Sequence, residues 1–262
     1  MRNKSWVVSL LIGALSGSVL AEISSTTESK PHGITYGLVT GKMKQGDFST
    51  DTTYSGLYFR YNYAPVNSIN VQTNLDVTGG RLHLKDESVL GASGTMSSAV
   101  AEFELFLGYK FATLFPNLTV TPLLGWHSLT EANKAKTEVG ETQIDMDLKF
   151  RSTVLGAAAT YQLTPKWELG LTGKVVFARN GEVEYARATP GPTTVKVATT
   201  TGLNNLNYFK LEAPVSYALS DSIGIFSLLE QTFNRTFKTE ELAQKSVNLN
   251  AWKVRIGVLH RF

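Results

Sequence analysis

Residues 68–78 read SINVQTNLDVT, and apolar and polar side chains alternate along them. The odd-numbered positions hold Ile, Val, Thr, Leu and Val, whereas the even-numbered positions are all polar. Successive side chains of a β-strand point to opposite faces, so this period of two predicts a strand with one apolar face. The same alternation recurs along the chain in blocks of about ten residues, and helical periodicity is scarce. The sequence therefore predicts an all-β protein.

Aromatic side chains lie at the ends of these blocks, next to short turns. Tyr and Trp rings prefer the headgroup level of a membrane and form belts at the ends of membrane-spanning strands. A soluble β-sandwich also alternates, but it would bury its large aromatic side chains in mid-strand. We therefore predict a transmembrane antiparallel β-barrel. The aromatic residues concerned are Phe59, Tyr61, Tyr63, Tyr109, Phe111, Tyr161, Trp167 and Tyr217.

The polar faces of the blocks carry charges of both signs, seven basic and six acidic. A solvated outer sheet face could hold them, but together with the aromatic ends they favour a polar lumen inside a lipid-facing band. We expect ion pairing across this lumen. The predicted network consists of Arg60, Glu102, Glu104, Lys110, Lys174, Lys210, Glu212, Glu230, Lys253 and Arg255. Asp76, Lys149 and Glu168 lie on the same predicted face.

Ten strands can be counted, and short and long connections alternate between them. The short connections are at 64–67, 112–117, 164–166 and 220–221, and the long ones lie near 44–52, 79–98, 129–144, 179–206 and 234–248. This alternation is typical of periplasmic turns and extracellular loops, so both termini are expected on the periplasmic side. Eight or twelve strands are the alternatives to a closed ten-strand barrel, because strand boundaries are difficult to predict.

Two segments depart from the simple pattern. Residues 182–187 alternate, but Pro190 and Pro192 follow before the roughly 9–11 residues of a membrane crossing are reached. We therefore interpret residues 182–198 as a β-ribbon above the membrane. Between residues 144 and 163 the apolar positions change from even to odd numbers. A β-bulge near 151–153 would keep both sets on one face.

Residues 1–21 have the pattern of a signal peptide. Arg2 and Lys4 precede an apolar run, and Val19 and Ala21 supply small residues at the cleavage positions. Cleavage would leave one domain, residues 22–262, in which 22–33 form a periplasmic lead-in. Without Arg2 and Lys4, the 25 basic residues become 23, against 22 acidic residues. This balance argues against nucleic-acid binding.

The last ten residues read KVRIGVLHRF and place apolar side chains at alternate positions before a terminal Phe. This stretch resembles the final strand of Gram-negative outer-membrane barrel proteins, except that His260 stands where an aromatic residue is often found. The resemblance implies localisation in the outer membrane and recognition of Phe262 by the barrel-assembly machinery.

Arg81, His83 and Lys85 alternate with apolar residues where the second long loop begins. A positive face at headgroup height could bind the phosphates of lipopolysaccharide. The alternative is an ordinary solvated loop. Outer-membrane lipids and lipopolysaccharide are therefore the expected partners, together with the assembly machinery.

A ten-strand barrel resembles the omptin surface proteases, and that resemblance implies an Asp–Asp pair facing an Asp–His pair at the outer rim. His127 with Asp145 or Asp147 would supply the general base, with Asp76 opposite. His127 and Ser128 also resemble the His/Ser site of lipid A deacylases, but neighbouring strand residues point to opposite faces. No cysteine occurs, and the four histidines show no ligand spacing, so no metal or cofactor is expected.

The leading hypothesis is a non-enzymatic outer-membrane barrel, acting as a structural or surface protein or as a narrow porin-like channel. A wide pore is not expected, since a ten-strand barrel is only slightly wider than an eight-strand barrel that side chains fill. The alternatives are a surface hydrolase, using the residues above, and an adhesin that binds through residues 179–206.

Overall fold

The protein is described by a computed structural model covering residues 30–43, 52–84, 94–136, 143–189, 195–203, 206–234, 236–238, 246–248 and 250–262. The predicted signal peptide, its cleavage position and most of the lead-in lie outside these described residues, as does Lys85. Within them, no helix is long and apolar enough to span a membrane.

The described chain forms thirteen strands. They are β1 (His32–Met43), β2 (Thr52–Tyr63), β3 (Ser68–Leu84), β4 (Gly94–Ala112), β5 (Leu118–Lys136), β6 (Gln143–Gln162), β7 (Trp167–Thr189), β8 (Val195–Leu203), β9 (Leu206–Ala218), β10 (Ile223–Phe233), β11 (Thr236–Lys238), β12 (Ser246–Asn248) and β13 (Ala251–Arg261). All described pairings are antiparallel; β1 closes on β13, and β6 pairs with β7. The wall contains β1–β7, β9, β10 and β13, so the predicted closed ten-strand barrel is confirmed.

Short turns join the strands at one end of the barrel, which we call the turn end. Asn67 and Asn117 adopt positive φ angles of 54° and 65° there, a conformation that Asn tolerates better than most residues. The Asn67 side chain also accepts a hydrogen bond from the Ala112 amide at 3.1 Å. Each Asn thus allows the chain to reverse within a few residues.

The outer surface is an apolar band between two rings of aromatic side chains. One ring lies at the turn end and includes Tyr109, Tyr161, Trp167 and Phe262, all exposed. The second ring, which the sequence analysis missed, consists of exposed Trp126, Phe209, Phe233 and Trp252. Along the last strand, Trp252 and Phe262 are ten positions apart, close to the roughly 9–11 residues that a tilted strand needs to cross a bilayer. We call this second ring the upper girdle.

Three hairpins, β3/β4, β5/β6 and β7 with β8 and β9, continue beyond the upper girdle. Strands therefore occupy much of the ranges 79–98, 129–144 and 179–206, which were predicted to be loops. β3 extends to Leu84, and β5 extends to Lys136. Strands outside the lipid band need no apolar face, and their sequence alternation is correspondingly weak. In the third hairpin, β8 and β9 share one register against β7, so the segment interpreted as a ribbon continues the β7/β9 hairpin upward.

The irregularity predicted near 151–153 exists, but its consequence was wrong. The register of β6 against β7 shifts between Arg151 and Ser152, and Arg179 of β7 is the extra residue. The even positions of β6 remain buried on both sides of the shift. Leu148 and Phe150 therefore point into the lumen, while Lys149, predicted to be lumenal, is exposed on the outer face.

Candidate functional site

A layer of charged side chains crosses the lumen near the level of the upper girdle. Eight of the ten wall strands contribute to it, and strand alternation points its members inward. Glu102 and Glu104, for example, flank the outward-facing Phe103 on β4. This charge layer consists of Arg60 on β2, Asp76 on β3, Glu102 and Glu104 on β4, His127 on β5, Lys174 on β7, Lys210 and Glu212 on β9, Glu230 on β10, and Lys253 and Arg255 on β13.

Two carboxylates of one strand, Glu102 and Glu104, form the centre of the layer. Lys210 bonds to both, with its Nζ 2.9 Å from Glu104 Oε1. Lys174 Nζ lies 3.0 Å from Glu104 Oε2 and also bonds to Glu212. Lys253 bonds to Glu102. Three ammonium groups from the far side of the barrel therefore neutralise two like charges that would otherwise repel each other.

Arg255 links two further carboxylates of the layer, Asp76 and Glu230. Its Nε and Nη2 atoms bond to the two Asp76 oxygens at 3.0 and 2.5 Å, and its Nη1 atom lies 2.9 Å from Glu230 Oε2. Such bidentate, charge-assisted pairs combine strength with fixed geometry. On the opposite side, Arg60 Nε donates to Asn74 Oδ1 at 2.7 Å, and Asn74 Nδ2 donates to Glu104 at 2.8 Å.

His127 belongs to the same layer, and its side chain is fully buried. Its Nε2 atom lies 2.9 Å from Glu102 Oε1, and its Nδ1 atom lies 3.3 Å from Tyr208 Oη. Asp147 is opposite Ala132, five pairs away from the His127–Ser152 pair and on the outward side of β6. The predicted catalytic pairing of His127 with Asp147 is therefore wrong.

The remaining predicted catalytic carboxylates do not complete such a pair either. Asp145 lies two residues beyond Asp147, opposite Lys134 in the strand register. Asp76 bonds to Arg255 and Lys253, not to His127. Asp76 therefore interacts with cations and not with the imidazole, and Asp145 is seven pairs away from the His127–Ser152 pair.

Glu102, Glu104 and His127 also have ligand atoms within 4.8 Å of one another, a spacing that suits a metal ion. Lys210 bonds to both carboxylates, and Lys174 and Lys253 bond to one each. Ammonium groups therefore already supply the positive charge that a cation would bring. The group belongs to the charge layer.

Lys110, predicted as a network member, lies apart from the charge layer. It is near the turn end of the lumen, where its electrostatic partners are Glu168 and Arg261. Arg261 Nη2 also lies 3.5 Å from Ser216 Oγ. The lumen therefore holds a second, smaller charged group that sequence parity could not separate from the first.

Apolar side chains fill the lumen on the far side of the charge layer from the turns, a feature that the sequence analysis missed. Met43, Tyr54, Leu129, Leu148, Phe150 and Ala251 are buried there in one cluster with Phe106 and Val176. Lys174 Nζ lies 4.4 Å from the Phe106 ring centroid, within the range of a cation–π contact. A cavity of ≈ 20 Å³ between this cluster and the charge layer has room for about one water molecule.

No protein-family model matches the chain, and no curated protein matches it in sequence. Solved structures do resemble it. The outer membrane protease OmpT from Escherichia coli is 14% identical, with a TM-score of 0.56 over 91% of this chain and 99% of that chain. The translocator domain of the autotransporter NalP from Neisseria meningitidis is 12% identical, with a TM-score of 0.51 over 91% of this chain and 90% of that chain. The chain therefore has the fold of bacterial outer-membrane β-barrel proteins.

Proposed function

We propose that this protein is an outer-membrane barrel whose lumen is closed by the charge layer, and that it acts as a structural or surface protein without steady conductance. The observation that carries the proposal is the density of pairing in that layer. Arg60 has a 14% exposed side chain, and the other members are at most 10% exposed.

The layer is also balanced in charge, which distinguishes it from the lining of an open pore. Five carboxylates (Asp76, Glu102, Glu104, Glu212, Glu230) face five cations (Arg60, Lys174, Lys210, Lys253, Arg255). A self-neutralised layer has no excess charge with which to attract a mobile ion. A passing ion would have to separate buried pairs, and an uncompensated buried charge costs several kcal/mol.

The orientation and route of the barrel belong to the same proposal. Export by the signal peptide at 1–21 and assembly through Phe262 would leave both termini in the periplasm. The tall hairpins between β3 and β8 would then stand at the cell surface, as extracellular loops do in barrels of this kind. Their length beyond the upper girdle supports a second candidate function, recognition of an external partner by the hairpins.

Single-channel recording in planar bilayers tests the closed lumen. The wild type should give small or no steady currents, and Arg255→Ala or Glu230→Ala should admit current because each leaves a gap and an unpaired charge. Lys149→Ala, which removes an exposed charge from the outer face, is the matched control and should behave like the wild type. Large, stable channels from the wild type would overturn the proposal that the charge layer closes the lumen, and would favour a porin.

A further inference from the structure

The outer face of β1–β4 changes its chemistry in three steps, and each step is a row of residues in cross-strand register. The apolar row, exposed in the lipid band, is Leu38, Leu57, Val77 and Ala101. The small row above it, also exposed, is Thr40, Ser55, Gly79 and Ala99. The basic row above that is Lys42, Thr53, Arg81 and Ser97.

The basic row alternates cations with hydroxyl groups. Thr53 is opposite both Lys42 and Arg81, and Ser97 is opposite Arg81 on its other side. Neighbouring strands are about 4.8 Å apart, so the two cations stand roughly 10 Å apart, close enough for both long side chains to reach one anion. On the other side of β1, Lys42 is opposite Trp252, a β13 residue of the upper girdle. This pairing places the basic row at the edge of the apolar band.

The three rows contain no acidic residue. The outer face further round the barrel differs, because Lys134 is opposite Asp145 and Lys149 is opposite Glu182. Lys134 and Lys149 therefore each have a carboxylate in register, whereas Arg81 has hydroxyl residues on both sides. Because the side chains of the small row are short, they leave space on the barrel surface between the cations and the apolar row.

We propose that Lys42 and Arg81 bind a phosphate group of outer-leaflet lipopolysaccharide, with its acyl chains on the apolar row and its headgroup over the small row. Lys and Arg form charge-assisted hydrogen bonds with phosphate, and the Arg fork bonds it bidentately. The proposal rests on the orientation proposed above, because this lipid belongs to the outer leaflet.

Lipid titration followed by native mass spectrometry tests the site. The folded barrel in detergent is titrated with diphosphoryl lipid A and with dephosphorylated lipid A. The wild type should retain the phosphorylated lipid preferentially, and the Lys42→Gln/Arg81→Gln double variant should bind it about tenfold or more weakly, since charge-assisted bonds are lost. Lys149→Gln, the matched control, should bind like the wild type.

Three outcomes of this binding experiment would overturn the proposal. They are unchanged binding by the double variant, an equal loss in Lys149→Gln, and displacement of the lipid by equimolar inorganic phosphate, which would indicate a site for small anions. The failure of the closed-lumen proposal is visible separately as wild-type conductance. The orientation is checked by labelling Thr53→Cys in intact cells with a membrane-impermeant maleimide, and absence of label would assign the site to the other leaflet and overturn the proposal.

Discussion

Arg255 bonds to both carboxylate oxygens of Asp76, although β1 and β2 lie between their strands in the wall. The pair therefore crosses the lumen between two strands that are not neighbours in the barrel wall. It joins the last strand to the third strand, so it can form only when the barrel has closed. The same guanidinium reaches Glu230 on the other side.

Removing the arginine should destabilise the barrel strongly. Arg255→Ala leaves Asp76 with Lys253 alone and deprives Glu230 of its 2.9 Å contact. Breaking a buried pair typically costs about 3–5 kcal/mol, and we expect a loss in that range in urea unfolding followed by tryptophan fluorescence in lipid vesicles. Lys149→Ala should change the free energy of unfolding by about 1 kcal/mol or less, because its side chain is exposed. If the two substitutions lower the free energy of unfolding equally, the Arg255–Asp76 pair does not have the stabilising role assigned to it.

The orientation of β6 can be tested by cysteine labelling, which is clean because the protein has no cysteine of its own. Phe150 is buried in the lumen and the adjacent Arg151 is exposed. A water-soluble maleimide should therefore modify Arg151→Cys rapidly and Phe150→Cys slowly in the folded barrel, and both rapidly after unfolding. Rapid labelling of folded Phe150→Cys would restore the outward orientation that the sequence pattern suggested.

These two cases show what the sequence could predict. Strand alternation and short turns are local properties, so the strand number and the inward direction of Glu102, Lys210 and Arg255 follow from parity. Which charges meet depends on barrel closure and on the stagger of non-neighbouring strands, so Lys110 could not be separated from the charge layer. Phe150 was misassigned because a lumen that contains apolar side chains breaks the rule that apolar means lipid-facing.

A close approach of three strands makes Gly257 sensitive to substitution. A Cβ atom there would meet the carbonyl oxygen of Tyr36 and lie 2.8 Å from the hydroxyl of Tyr58. Gly257→Ala should therefore lower the yield of folded, heat-modifiable barrel and its midpoint in urea. Gly173→Ala is the control, since its Cβ would lie 3.6 Å from the Phe209 ring, an ordinary contact. The idea fails if both variants fold equally well.

The N-terminal processing is checked by intact-mass measurement of the protein extracted from outer membranes. The charged start at Arg2 and Lys4 and the small residues Val19 and Ala21 predict that the mature chain begins at Glu22. We expect a single species lacking residues 1–21. A species that retains Met1 in that membrane fraction would show that the segment is not removed.

The C-terminal Phe262 is expected to act twice, first in assembly and then in the closed barrel. Its ring stacks on His32, with ring centroids 5.4 Å apart and planes 7° apart. The two backbones also exchange hydrogen bonds of 3.3 and 3.0 Å between β1 and the chain end. The contact therefore lies at the seam where the barrel closes, and it is separate from any recognition of the free terminal strand.

A pair of variants separates the two roles. Deletion of Phe262 should reduce the amount of folded barrel in cells several-fold, because both the assembly signal and the stack are lost. His32→Ala keeps the terminal Phe, so its assembly yield should match the wild type. Its unfolding free energy should fall by about 1–3 kcal/mol, because the variant loses the stack on Phe262 and also the 2.9 Å hydrogen bond between His32 Nδ1 and Tyr61 Oη. Gel mobility of unheated samples measures the yield and urea unfolding measures the stability. If His32→Ala reduces the cellular yield as much as the deletion does, seam packing alone accounts for the role of Phe262.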